Sequence, residues 1–181
     1  QELLEKFNIH KVKKVVSGGA SGQESIYNGL KAAEEIACGE KSIVLIHDGV
    51  RPLINEKTIT DNIESVKKHG SSITCVKVKE TVLVVAEDNS IEDVPNRADT
   101  RLARAPQSFY LDEIIEAHRK AIAENKFDFI DSCSMMQYYG KKLYLIEGPQ
   151  ENIKITTPDD FYTMRALLDA KEEAQIYGLE D

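Results

Sequence analysis

The segment His47-Asp48-Gly49-Val50-Arg51 puts a carboxylate and a guanidinium three positions apart, directly after the apolar run Ile43-Val44-Leu45-Ile46. Asp48 can accept from a hydroxyl or hold a metal, and Arg51 can fork onto a phosphate or fix Asp48 in place. In open α/β sheets ligands bind beyond the carboxyl ends of strands, which is where these residues fall if the apolar run is a strand. An internal Asp48–Arg51 ion pair that only shapes the loop is the plainer alternative. Lys154 lies among apolar neighbours in Glu151-Asn152-Ile153-Lys154-Ile155-Thr156, a setting in which a charge is rarely found unless it is used. A phosphate partner would explain it, and so would an edge-strand lysine that discourages aggregation. Upstream, Ser17-Gly18-Gly19-Ala20-Ser21-Gly22 joins an apolar run to a helical repeat. Small residues there let the backbone approach a ligand, helix-start amides favour an anion, and Ser25 can add a hydroxyl. An ordinary tight turn has the same sequence signature. Ala20 occupies the second glycine position of a dinucleotide fingerprint, and no Gly-Lys-[Ser/Thr] follows as in a phosphate-binding P-loop.

The elements that must hold these residues alternate between strand and helix, the pattern of βαβ units around a mostly parallel sheet. Strands are expected at Lys11–Val16, Ser42–Ile46, Ser72–Val78, Leu143–Ile146 and Asn152–Ile155. Helical spacing recurs at Ile26, Leu30, Ala33 and Ala37, then at Ile59, Ile63 and Val66 before Gly70. It returns at Leu111, Ile114, Ile115, His118 and Ile122, and again between Asp131 as N-cap and Gly140 as C-cap. His118 falls on the apolar face, a core or rim position, and Met135, Met136, Tyr138 and Tyr139 read as packing. Thr157 as N-cap, Pro158 at the first helical position and Asp159 and Asp160 in the first turn announce a last helix. Thr81–Val85 and Ile91–Val94, around the polar turn Glu87-Asp88-Asn89-Ser90, interrupt the alternation and resemble a hairpin arm. The chain shows no internal repeat, low-complexity stretch or linker.

Composition narrows the function classes. The 181 residues suit one domain with a full core, and 23 Lys plus Arg against 31 Asp plus Glu give a charge of −8. That acidic balance argues against a nucleic-acid partner, which needs clustered basic residues. No apolar run approaches the roughly 20 residues that span a bilayer, so no membrane partner is expected. Three widely spaced cysteines, Cys38, Cys75 and Cys133, fit a cytoplasmic, reducing compartment, and neither they nor the four histidines show metal-ligand spacing. No Gly-x-Ser-x-Gly elbow or serine triad is evident.

Four motifs in register resemble one family: Gly18-Gly19-Ala-Ser-Gly-Gln-Glu-Ser25, His47-Asp48-Gly-Val-Arg51-Pro52, Ala105-Pro106-Gln107-Ser108-Phe109, and Glu151-Asn152-Ile-Lys154-Ile-Thr156-Thr-Pro158-Asp159-Asp160. The family comprises the cytidylyltransferases acting on 2-C-methyl-D-erythritol 4-phosphate and the similar ribitol-5-phosphate cytidylyltransferases. The resemblance implies an α/β, Rossmann-like nucleotidyltransferase fold of the glycosyltransferase-A-like kind, with a mostly parallel sheet, helices on both faces and a protruding β-hairpin. It implies one nucleotidyltransferase domain over residues 1–181 with a dimerisation arm over 79–105, lacking the glycine-rich strand-loop segment with which the family begins.

The implied reaction is attack by a polyol phosphate on the α-phosphorus of CTP with release of pyrophosphate. Mg²⁺, bound mainly through the CTP phosphates, would offset their charge without a metal site of protein residues. Gly18, Gly19 and Ser25, with Asp48, would hold the nucleotide. The polyol phosphate would meet Asp48, Ala105, Lys154 and, across a homodimer, Thr81 and Arg97. Lys154, Asp48 and Arg51 would carry the catalysis, Lys154 at the α-phosphate. Gly22 stands where the family often has Arg, and Ala105 replaces the usual Thr of Thr-Pro-Gln, removing a hydroxyl. Methylerythritol phosphate in isoprenoid precursor synthesis is the first expectation for the substrate. Ribitol 5-phosphate, giving CDP-ribitol for wall or capsule polymers, is the alternative. A non-catalytic nucleotide-binding homologue is the alternative of another class.

Overall fold

Helices begin where the sequence supplies a capping side chain. The computed structural model describes residues 2–177. In chain order its elements are α1 (Glu2–Lys6), α2 (Gly22–Ala37), β1 (Ile43–Ile46), α3 (Glu56–His69), β2 (Ser71–Lys77), β3 (Val84–Val85), β4 (Ile91–Asp93), β5 (Arg101–Tyr110), α4 (Leu111–Ala123), α5 (Ser132–Tyr138), β6 (Leu145–Glu147) and α6 (Pro158–Tyr177). Side chains of Ser21, Asn55 and Asp131 accept from the amides of Glu24, Thr58 and Ser134, giving partners to donors that a first helical turn leaves unmade. α3 ends at Gly70, whose φ of 84° is a left-handed conformation that carries no penalty without a Cβ. At α6, the Asp160 amide donates to Thr157 Oγ1 at 3.3 Å, while the Asp160 carboxylate accepts from the amides of Thr156 and Thr157 at 2.9 and 2.7 Å. The Thr156 amide, then the hydroxyl and amide of Thr157, hold that carboxyl down at about 2.

Four strands form one sheet in the order β1-β5-β2-β6, and β3 pairs with β4 in a separate antiparallel sheet. β2 and β6 are parallel, with Ile73 opposite Leu145 and Cys75 opposite Glu147. β2 is buried from Ser71 to Val76 without alternation, as a strand covered on both faces must be. The result is a mixed α/β fold with a parallel-containing sheet, the class expected from the sequence.

The described chain divides into two compact units, one of residues 2–44 and 109–143, the other of 45–108 and 144–177. In the first, α4 packs against α2 and α5. Leu30 of α2, Ile114, Ile115 and Ala121 of α4, and Met135 and Met136 of α5 are buried there. Gln23 is buried and satisfied at both ends of its amide: Nε2 donates to Lys126 O at 2.9 Å and Oε1 accepts from the Phe129 amide at 3.2 Å.

His118 is 1% exposed, stacks on Tyr27 with ring centroids 5.6 Å apart, and has no hydrogen-bond partner for either ring nitrogen among the described residues. Burial disfavours the imidazolium and lowers its pKa to about 4. The unfolded chain, with its histidine near 6.5, therefore binds the proton first. Stability from the neutral ring is present above pH 6.5 and is lost as the pH falls toward 4. About 2 kcal/mol should disappear between pH 7 and pH 5, and His118→Phe should flatten that dependence. Urea melts across this range measure it; equal slopes for the two proteins would remove His118 as the cause.

In the second unit α3 packs on β2, and Val66, Ile73 and Val76 are buried. Gly148, just after β6, approaches β2 so closely that a Cβ would lie 2.5 Å from Thr74 Cγ2. A larger residue there would push β2 aside.

Several sequence expectations are corrected. Lys11–Val16 is exposed throughout and joins no sheet among the described residues. Apolar alternation gives a segment its faces, but only a hydrogen-bonded neighbour makes it a strand. Asn152–Ile155 is not a strand either, because its backbone groups are taken by other partners: the Asn152 carbonyl accepts from two arginines and the Ile155 amide donates to Val50 O at 2.9 Å. Conversely, β5 was not expected, since Pro106 in its middle has no amide to give a ladder. The hairpin forms but is shorter than expected, with Val85 opposite Ile91 and an irregularity between Val84 and Val85. Asp88 closes its turn by accepting from the Ser90 amide at 3.0 Å.

Candidate active site

In the second unit, the loop after β1 is tied down by its own side chains. The Arg51 amide donates to Asp48 O at 3.0 Å, making a turn, and the His47 ring donates through Nε2 to Arg51 O at 2.9 Å. Arg51 is nearly buried, with 10% of its side chain exposed, and its fork is divided between two acceptors. Nε donates to Asp48 Oδ2 at 2.9 Å, and Nη1 donates to the Asn152 carbonyl at 2.9 Å. The Asp48–Arg51 ion pair is therefore present, but it does more than shape its own loop: it joins that loop to the segment carrying Lys154.

Lys154 Nζ lies 3.7 Å from Asp48 Oδ1, and 48% of its side chain is exposed. The edge-strand explanation for Lys154 falls with the strand. A long, solvated pairing of this kind contributes little to stability, which leaves the ammonium available to another anion. Arg104, on β5, donates through Nη1 to the same Asn152 carbonyl at 2.7 Å. Burial, then the Arg51 charge beside it, lowers the Arg104 pKa from the usual guanidinium value. Asn152 is fully buried and its Nδ2 donates to Ala105 O at 2.7 Å, so one residue holds β5, Arg51 and Arg104 together. Ala105 itself is 7% exposed.

Sequence reading picked out Asp48, Arg51 and Lys154, which the structure brings together, and missed Arg104 and the organising part of Asn152. The available signal was a basic residue between two alanines, Ala103-Arg104-Ala105, immediately before the segment Ala105-Pro106-Gln107-Ser108-Phe109.

In the first unit, Gly18, Gly19 and Ser25 also come together. Ser25 Oγ accepts from the Gly19 amide at 2.9 Å and donates to Ser21 O at 2.9 Å, so its hydroxyl holds the turn. Glu24 turns back to accept from the Ala20 amide at 2.6 Å. A Cβ on Gly19 would lie 2.4 Å from the Glu24 side chain, so this turn needs glycine there. A Cβ on Gly22, the first residue of α2, meets open space.

Thr81 and Arg97 flank the β3–β4 hairpin in exposed positions, with Arg97 Nη1 donating to Lys79 O at 3.2 Å. Among the described residues no group of three or more His, Cys, Asp or Glu could hold a metal ion, and no helix is long and apolar enough to cross a membrane. Asp48, the carboxylate of the cluster, is already paired with Arg51 and Lys154. Three cations with one carboxylate between them, two of the cations anchored by the carbonyl of a buried asparagine, can bind phosphate groups and stabilise charge that develops on them.

Comparison with known proteins agrees with this chemistry. The family profile described as "IspD: 2-C-methyl-D-erythritol 4-phosphate cytidylyltransferase" matches residues 1–170. A ribitol-5-phosphate cytidylyltransferase of Streptococcus agalactiae serotype V is 54% identical over 177 residues, 98% of this chain and 73% of that protein. A 2-C-methyl-D-erythritol 4-phosphate cytidylyltransferase of Clostridium novyi is 39% identical over 93% of this chain and 71% of its own length. The crystal structure of 4-diphosphocytidyl-2C-methyl-D-erythritol synthase from Anaerococcus prevotii superposes with a TM-score of 0.81 at 29% identity, covering 93% of this chain and 77% of that one. With a profile spanning nearly the whole sequence and relatives far above 30% identity, the chain belongs to the IspD family of cytidylyltransferases, a family of nucleotidyltransferases.

Proposed function

We propose that the protein transfers a cytidylyl group from CTP to ribitol 5-phosphate, giving CDP-ribitol and pyrophosphate. The observation that carries this reading is the gap in identity: 54% to a ribitol-5-phosphate cytidylyltransferase against 39% to a methylerythritol phosphate one. Methylerythritol phosphate, the first expectation from the sequence, is thereby less favoured than its alternative.

An oxygen of the polyol phosphate attacks the α-phosphorus of CTP, the bond from that phosphorus to the bridging oxygen breaks, and pyrophosphate leaves with the electron pair. Both reactants are anions, so positioning and positive charge do the catalysis rather than a covalent nucleophile. Lys154 serves the α-phosphate, Asp48 accepts from polyol hydroxyls, and Arg51 keeps Asp48 in place. Mg²⁺, which prefers phosphate oxygens and its own waters to an all-protein cage, would enter with the CTP triphosphate and offset its charge.

The hairpin serves as a dimerisation arm. Leu83, Val84, Val85, Ile91 and Val94 are 40–60% exposed along it, an apolar strip that a partner copy would cover. Dimerisation would bring Thr81 and Arg97 to the neighbour's polyol phosphate. Val85→Lys with Ile91→Lys should convert a dimer to a folded monomer in sedimentation velocity; a native protein that already sediments as a monomer would end this reading.

The substrate is tested by pyrophosphate release from the full-length protein with CTP and Mg²⁺, comparing the two polyol phosphates. Faster turnover of ribitol 5-phosphate is expected. Preference for methylerythritol phosphate would reverse the assignment, and release with neither would leave a nucleotide-binding homologue.

A further inference from the structure

We infer that Arg104 is a specificity-determining residue that binds the phosphate group of the polyol phosphate substrate. The inference deepens the function proposed above and rests on it.

Arg51 and Arg104 both donate to one oxygen, the Asn152 carbonyl, at 2.9 and 2.7 Å. A carbonyl has two lone pairs, so this acceptor is fully used, and two like charges are held side by side on a neutral group. Asp48 compensates Arg51 at 2.9 Å and lies 3.7 Å from Lys154. Arg104 has no carboxylate within ion-pair distance among the described residues. The cluster thus holds three cations and one carboxylate, a surplus of two positive charges, in a chain whose overall charge is −8. A half-buried guanidinium left without a counter-ion beside another is unfavourable unless an anion arrives.

Only Nη1 of Arg104 has an acceptor among the described residues. The edge formed by Nε and Nη2 stays open, and that edge matches two oxygens of a phosphate in the bidentate manner available to Arg and not to Lys. The fork is held by its bond to the carbonyl of a residue that is 0% exposed, so little freedom is lost when an anion binds.

The CTP triphosphate offers the same oxyanion chemistry, so the test separates the two sources. In the full-length enzyme, Arg104→Leu should raise the KM for the polyol phosphate at least about tenfold, the usual effect of losing a charge-assisted pair, with kcat and the KM for CTP each within about threefold. Arg104→Lys should recover part of the loss, because charge returns without the fork. Inorganic phosphate, competing against the polyol phosphate, should inhibit native enzyme more strongly than Arg104→Leu. A rise confined to the KM for CTP overturns the assignment, as does an unchanged KM for the polyol phosphate in a variant that melts normally. If Arg104→Leu folds poorly, the Lys variant and its phosphate inhibition decide alone, and equality with native enzyme in both overturns it. Native enzyme that prefers methylerythritol phosphate defeats the substrate reading, and Arg104 is then judged with that substrate. Unchanged kinetics with ribitol 5-phosphate still preferred defeat Arg104 and leave the substrate reading standing.

Discussion

Lys154→Ala is expected to lower kcat for cytidylyl transfer by on the order of 10²-fold or more while leaving the melting temperature nearly unchanged. The two halves of that expectation come from the same geometry. The ammonium is half exposed and stands 3.7 Å from Asp48, a solvated pairing whose loss costs folding little. In the transition state, by contrast, negative charge grows on oxygens around the α-phosphorus, and a fixed cation there is worth about 2.7 kcal/mol per hundredfold in rate. Asp48 and the Arg51 bond to Asn152 O keep the segment in place without the lysine, so a loss of rate would not report a displaced loop. Lys154→Arg keeps the charge but spreads it over a planar fork, and should restore only part of the rate. Pyrophosphate release at saturating CTP and polyol phosphate, beside a melt of each variant, is the measurement. A kcat within threefold of native would take Lys154 out of the reaction.

Much of what positions that lysine is local, and was legible for that reason. Thr157, Pro158 and Asp160 define the start of α6 within four residues, and the helix begins there with Asp160 bonded as a cap requires. Gly70 ends α3 for an equally local reason. What the sequence concealed depends on partners far along the chain. Arg51 and Arg104 reach the Asn152 carbonyl across 101 and 48 residues, and no spacing rule connects them. The same distance explains the misread strands. Residues 11–16 and 152–155 have strand-like alternation, but a ladder depends on what lies alongside, and the second segment spends its backbone groups on Arg51, Arg104 and Val50. β5 was hidden in the opposite sense, because Pro106 and two arginines suppress its propensity while the strands beside it stabilise it. Asp48 and Arg51 were found because they follow an apolar run, and Lys154 because it stands between two isoleucines; Arg104 was not, because it lies inside a strand that could not be read.

Asn62→Ala should destabilise the protein by about 4 kcal/mol. Asn62 is 0% exposed and uses its amide fully: Nδ2 donates to Thr58 O at 2.8 Å and to Thr74 Oγ1 at 2.9 Å, while Oδ1 accepts from Ser108 Oγ at 2.9 Å. It thereby ties α3 to β2 and β5. Removing it strands the hydroxyls of Thr74 and Ser108, both 0% exposed, at about 1–3 kcal/mol each, and leaves a cavity as well. For a chain of this size that is a fall of roughly 8–16 °C in melting temperature. Lost volume and lost hydrogen bonds can be told apart. Asn62→Leu refills the space but still orphans both hydroxyls, so it should remain strongly destabilised. The triple variant Asn62→Leu, Thr74→Val, Ser108→Ala removes every stranded group and should recover much of the loss, since replacing all partners of a buried network by apolar groups can be nearly neutral. Urea melts with a shared m-value compare the three, and equal stability of the single and triple leucine variants would mean that packing, not the network, makes Asn62 costly to lose. Recovery in the triple variant would show that the network specifies where β5 lies, and with it the carbonyl of Ala105 to which Asn152 is bound.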